Sequence, residues 1–211
     1  MHHQTLLGYA RLAPFVPVVT IDDPRKSIPL ARALFEGGLR VIEVTLRTPH
    51  ALDAIAAIVK AVPEAVVAAG TVTAPSQIGE VIDAGAKFIV TPGTPRRLAE
   101  ALAEAPIPAM PGCATPSEAM TLLDLGFEVV KFFPAGPSGG PAWLKAIAGP
   151  LPQLRFCPTG GIDWDNAGTY LAQPNVVCIG GTFVAPAAAV AQDDFETVRR
   201  LAQRAAGLGP A

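Results

Sequence analysis

Eight short runs rich in β-branched residues recur along the chain, roughly 20 to 25 residues apart, with a stretch of helical period in the gaps, and few folds accept that rhythm. The runs are FVPVVTI (15–21), RVIEVTL (40–46), AVVAAGTV (65–72), KFIVTPG (87–93), IPAMPGC (107–113), EVVKFFP (128–134), LRFCPTGGI (154–162) and VVCIGGTF (176–183). Between them lie PRKSIPLARALFEGG, HALDAIAAIVKAV, PSQIGEVIDAG, PRRLAEALAEA, TPSEAMTLLDLG, PAWLKAIAG and WDNAGTYLAQ. A strand followed each time by a helix implies parallel pairing, because parallel neighbours need a long crossover. Eight such units predict an α/β fold, a (β/α)₈ TIM barrel over residues 15–206. Residues 1–13 read as an extra N-terminal helix over the barrel floor and DDFETVRRLAQRAAG as the closing helix, so that 1–211 form a single domain. An open doubly wound sheet is the competing architecture, but no GxGxxG turn follows the first run.

Composition narrows the partners. A net charge of −2, with charged residues at 16%, provides neither a basic surface nor an acidic tail, so no nucleic-acid partner is expected. No apolar run approaches the roughly 18 to 20 residues that span a bilayer. The opening MHHQTLLGYARLAP also lacks the basic-then-apolar order of a secretion signal, so the expectation is a soluble cytoplasmic protein without a membrane partner. Cys113, Cys157 and Cys178 are odd in number and widely spaced, the pattern of buried reduced thiols. His2, His3 and His50 cannot build an interior ligand cluster, so no metal and no other cofactor is expected.

Two of the runs carry charge where hydrocarbon is the rule. In EVVKFFPAG (128–136), alternation puts Val129, Lys131 and Phe133 on one face and Val130 and Phe132 on the other. Lys131 either snorkels to water or sits inside the barrel, where desolvation disfavours an ammonium and favours attack by a neutral amine on a carbonyl. In VIEVTLRT the same rule groups Glu43, Thr45 and Arg47 on the lumen side, opposite Ile42, Val44 and Leu46. Lys131 then faces Glu43 and Arg47 across the lumen; alternatively Glu43 and Arg47 form a structural ion pair. The glycines of PTGGI (158–162) and CIGGTF (178–183) end the last two runs, where such barrels often bind phosphate. Gly160, Gly161, Gly180, Gly181 and Thr182 fit an oxyanion cradle assisted by a helix N-terminus, against the plainer reading of simple turns.

Taken in order, EVTLRT, AAGTV, VTPG, KFFPA, AIAGP, RFCPTGGI and CIGG make the chain, from about residue 15 onward, resemble the 2-keto-3-deoxy-6-phosphogluconate (KDPG) aldolases, whose members often also cleave 4-hydroxy-2-oxoglutarate. The resemblance implies a metal-independent class I aldolase, assembled as a homotrimer, acting on a small 2-keto acid. It assigns the Schiff-base lysine to Lys131 and the general acid/base to Glu43. Arg47 and Thr71 match positions holding the pyruvyl carboxylate, Pro92 and Phe133 shape the pocket, and Thr159, Gly160, Gly161, Gly180, Gly181 and Thr182 complete substrate and phosphate binding. This chain has GGTF where the family carries GGSW, and PGCATPSE where PGISTVSE is more usual, leaving Thr115 near the substrate. Readings that remain open are another phosphate-binding barrel, such as a sugar-phosphate isomerase or epimerase, the related 6-phosphogalactonate aldolase, and a non-catalytic sugar-phosphate binder.

Overall fold

The computed structural model describes residues 2–209, so the ends of the expected 1–211 domain and the first residue of the expected 1–13 helix lie outside the described residues. Helix α1 (His2–Ala10) precedes β1 (Phe15–Val19), α2 (Ser27–Glu36), β2 (Val41–Thr45), α3 (Ala51–Ala61), β3 (Val66–Gly70), α4 (Gln77–Asp83), β4 (Phe88–Val90) and α5 (Arg96–Ala103). Then come β5 (Ala109–Met110), β6 (Gly112–Cys113), α6 (Pro116–Asp124), β7 (Val129–Phe132), α7 (Gly140–Ala148), β8 (Arg155–Pro158), α8 (Ala167–Leu171), β9 (Ile179–Gly181), α9 (Ala187–Ala191) and α10 (Phe195–Ala206). Each observed strand is shorter than its run, since only the central residues carry ladder bonds.

All pairings are parallel. Six strands form a sheet in the order β5–β4–β3–β2–β1–β9, and β6–β7–β8 form a second. The run expected as one strand over 107–113 is therefore two, because Pro111 between β5 and β6 has no N–H to give the ladder. The two sheets stay in touch along both seams. Lys131 N–H donates to Pro111 C=O, and isolated bridges join Phe156 to Val176 and Thr159 to Gly180.

Side-chain alternation sorts the apolar residues into two cores. Ile42, Val44, Val67, Ala69, Ile89, Val130, Phe132 and Phe156 point outward and pack under the helices. Helix α3 shows why it docks there: Ala51, Ala54, Ile55 and Ile58 recur at helical spacing and are its buried face. The inward set is Val16, Val41, Ala68, Phe88, Val90, Met110, Val129, Cys157 and Cys178, joined from below by Leu6 and Ala10 of α1. Tyr9 stacks on Phe88 with ring centroids 5.9 Å apart. Helix α1 thus covers one end of the lumen with hydrocarbon. Helix α9, after Pro186, is a short element that the sequence rhythm did not anticipate. Phe88 is only 2% exposed at the centre of the inward core. Phe88→Ala is expected to lower the unfolding free energy by about 3–5 kcal/mol, measured by chemical denaturation.

Candidate active site

Strand β7 delivers an ammonium group into this lumen. Lys131 lies in register between Gly112 of β6 and Cys157 of β8 and is 5% exposed, so it does not snorkel. Its Nζ donates to Glu43 Oε1 at 3.0 Å and Oε2 at 3.3 Å, and Glu43, on β2, is 4% exposed. The Phe133 ring centroid lies 5.4 Å from Nζ. Withdrawing two charges from water costs several kcal/mol per ion unless each satisfies the other, so either residue alone would be an uncompensated buried charge. The alternation argument brings Lys131 and Glu43 together as expected. Arg47 does not join them: the β2 ladder ends at Thr45, and Arg47 is exposed in the turn before α3, outside any Glu43 ion pair. The lumen position above Glu43 is Thr45, fully buried, whose hydroxyl donates to Val19 C=O at 3.0 Å and pairs with the Thr20 hydroxyl at 2.9 Å.

The other expected residues ring the same end of the sheet. Thr71 follows β3 directly and holds φ at +60°, a left-handed conformation that a β-branched residue adopts only when its surroundings impose it. Pro92 is half-buried beyond β4, between two threonines that fix its loop. Gly112 N–H donates to Thr91 Oγ1 at 2.9 Å, Thr94 Oγ1 donates to Gly112 C=O at 2.9 Å, and the two hydroxyls sit 2.7 Å apart. Thr159, at the end of β8, is buried, and no hydrogen-bond partner among the described residues reaches its Oγ1. Gly160 and Gly161 follow with φ of +93° and +77°, a loop only glycine enters easily. Their carbonyls accept from Gly136 N–H and Asn166 Nδ2, while their N–H groups meet no acceptor among the described residues.

Two expectations need correcting. Gly180 and Gly181 are not turn residues: they lie within β9, paired with Val16 and Pro17 of β1. Their use is spatial, since a Cβ at Gly180 would run into Thr159 Oγ1. Thr182 follows them, exposed at the rim, and Phe183 packs between Phe15 and Trp164 with centroids 4.7 and 4.6 Å away. Asp163 Oδ1 accepts from Asp165 and Asn166 N–H in the turn between Gly161 and α8, whose N-terminus carries no side-chain cap. Thr115 caps α6, its Oγ1 accepting from Glu118 N–H while the Glu118 carboxylate accepts from Thr115 N–H, so that hydroxyl is committed to the helix. Sequence reading missed Thr20, Thr91, Thr94 and Gly70. The T-P-G-T spacing was the one available signal for the threonine pair.

A lysine amine, a carboxylate 3.0 Å away and a polar rim can perform amine–carbonyl chemistry with proton transfer. A model of the family described as KDPG and KHG aldolase matches residues 8–201. The KHG/KDPG aldolase of Escherichia coli strain K12 is 50% identical over 192 residues, covering 91% of this chain and 90% of that protein. The KDPG aldolase of Legionella pneumophila, solved with pyruvate captured at low pH as a covalent carbinolamine intermediate, superposes with a TM-score of 0.93 at 41% identity, covering 95% of this chain and 98% of that one. The Zymomonas mobilis ZM4 enzyme, solved with 3-phosphoglycerate, gives a TM-score of 0.93 at 42% identity over 99% and 98%.

The cysteines in the same walls are poor nucleophiles. Burial, and then the charge of Glu118, push the Cys113 thiol from 9.0 up to about 12. Cys178 is raised well above 9.0 by its hydrogen bond with Cys157, then by burial, with Glu43 adding to the effect. All three thiols are free and buried. A thiol whose pKa is raised by folding stabilises fully below its unfolded value and loses that contribution as pH climbs through the folded one. The unfolding free energy is therefore expected to fall between pH 9.0 and about 12, read by denaturation at stepped pH. At about pH 8 a chromogenic disulfide reagent is expected to titrate no thiol until denaturant is added.

Proposed function

The chain belongs to the KDPG and KHG aldolase family, and on that premise we propose that it is a class I aldolase. It is a lyase that cleaves KDPG to pyruvate and glyceraldehyde 3-phosphate and also splits 4-hydroxy-2-oxoglutarate to pyruvate and glyoxylate. The observation that carries this reading is the buried Lys131–Glu43 contact. The family supplies the rest: a Legionella relative holds pyruvate as a carbinolamine, and another relative is described as a 4-hydroxy-2-oxoglutarate aldolase.

The chemistry follows from that contact. As the substrate ketone enters, Glu43 takes a proton from the Lys131 ammonium, and the freed amine attacks C2 to form a carbinolamine. Glu43 returns that proton to the carbinolamine hydroxyl, which leaves as water and gives an iminium, the electron sink that C–C cleavage requires, with Glu43 again a carboxylate. The C3–C4 electron pair flows toward the iminium nitrogen, the C4 hydroxyl proton passes to Glu43, and the aldehyde departs. The resulting enamine takes a proton back at C3 from Glu43, and water releases pyruvate. Proton transfer by a placed carboxylate typically contributes about 10²–10⁴-fold.

Around this pair, Arg47 and Thr71 hold the pyruvyl carboxylate, Pro92 and Phe133 wall the pocket, and the unpartnered Thr159 hydroxyl turns to substrate. Gly160, Gly161 and Thr182 bind the phosphate, with Gly180 and Gly181 keeping the space clear. The two free glycine N–H groups support this reading, as does the Zymomonas relative solved with 3-phosphoglycerate. We read β5 and β6 as halves of one strand and the bridges from Phe156 to Val176 and from Thr159 to Gly180 as the closing seam, giving an eight-stranded barrel in a single domain. No described helix is long and apolar enough to cross a membrane. A cytoplasmic homotrimer is the assembly and location that fit the family and the free thiols.

Borohydride reduction in the presence of pyruvate should leave the adduct on Lys131, located by peptide mass mapping; label on any other lysine refutes the assignment. Gly161→Val should crowd the phosphate end, lowering kcat/KM for KDPG by about 10- to 100-fold while sparing 4-hydroxy-2-oxoglutarate. Equal losses on the two substrates would make Gly161 a structural residue.

A further inference from the structure

Gly70 ends β3 without a left-handed φ, so its backbone makes no demand for glycine. The demand comes from a neighbour. A Cβ at position 70 would fall 2.6 Å from Glu43 Cγ and 2.8 Å from Cδ, and closer still to Oε1. All three of the nearest heavy atoms belong to Glu43. In the β2–β3 register Glu43 stands opposite Ala68 and Thr45 opposite Gly70, so the Glu43 side chain leans along the strand over the next lumen position of its neighbour. The lumen face of β3 tapers to match, from Val66 through Ala68 to no side chain at Gly70.

We propose that Gly70 is a positioning residue for the aldolase reaction: its missing side chain is the slot that holds the Glu43 carboxylate against β3 and within reach of Lys131. This rests on the roles given above to Lys131 and Glu43. An alanine at 70 leaves two ways out. Strand β3 is held on both sides by β2 and β4, whereas the carboxylate is the far end of a flexible chain, so the carboxylate yields. Its displacement breaks the 3.0 Å contact with Lys131 while leaving the walls in place. The damage from Gly70→Ala therefore falls on proton transfer, with a loss of stability from the separated charges that leaves the strands in place.

The test is a mutant cycle on the intact protein with KDPG and pyruvate. Wild type is measured first: failure to trap pyruvate on Lys131 or to cleave KDPG would refute the parent reading and not this one. Gly70→Ala should then lower kcat about tenfold or more, the scale expected from misplacing a reacting group by an ångström, while borohydride still traps pyruvate on Lys131, more slowly, and the protein stays folded with a lowered thermal midpoint. Glu43→Asp withdraws the carboxylate from the slot, so adding Gly70→Ala to it should change kcat by less than about threefold, a clear departure from additivity. A near-normal kcat for Gly70→Ala, or the same fractional loss in both backgrounds, overturns the proposal. Should Gly70→Ala fail to give folded protein, Gly70→Ala/Glu43→Ala decides. Recovery of folded protein to the level of Glu43→Ala alone supports the slot, and misfolding beyond that level refutes it, because Lys131 is unpaired in both and no carboxylate is then left to collide with.

Discussion

The contact between Lys131 and Glu43 sets the terms for the rest of the lumen. A buried ion pair rarely improves stability over hydrocarbon of the same shape, so a fold that keeps one has to make room for it and keep water from competing. Both demands are visible. Residue volume shrinks along β3 beside the carboxylate, Gly112 flanks the lysine on β6, and the opposite end is filled by Phe88, Val129, Met110 and the side chains of α1. The lumen is apolar and closed at one end, polar and open at the other, and the pair sits at the change.

The polar end is built by side chains that stand in for the ladder where the ladder stops. Thr91 and Thr94 grip both backbone groups of Gly112 just past the Pro111 break, and Thr45 bonds back to Val19 C=O. These hydroxyls hold loops at defined heights over Lys131 without adding charge. Thr71, forced to a positive φ directly after Gly70, belongs with them as a residue whose conformation is set by its neighbours.

Much of this was legible in the sequence because period and chemistry agreed. Alternation in VIEVT and VVKF put Glu43 and Lys131 on the inward face, and the structure joins them. The same rule failed for Arg47, since two-residue periodicity ends with the ladder and nothing in EVTLRT marks Thr45 as its last member. The paired glycines of PTGGI and CIGGTF look alike in one dimension, yet the first pair turns at positive φ and the second continues a strand. What separates them is a neighbour's side chain, Thr159 beside Gly180, and no local pattern reports a neighbour. Gly70 went unnoticed for the same reason.

Helix α1 has a consequence for the order of events. Leu6 and Ala10 seal the lower end of the lumen with hydrocarbon, so on the binding mode proposed above the substrate arrives lysine-end first from the polar end and its phosphate stays nearest that end. The fragment severed beyond C3 then stands between the tethered pyruvyl group and the solvent. The queue can empty in only one sequence: the aldehyde phosphate leaves, water follows it in, and pyruvate goes last. In the synthetic direction the tether to Lys131 requires pyruvate first, so the ordered kinetic pattern follows from the imine, and the sealed floor makes the arriving aldehyde come in over it.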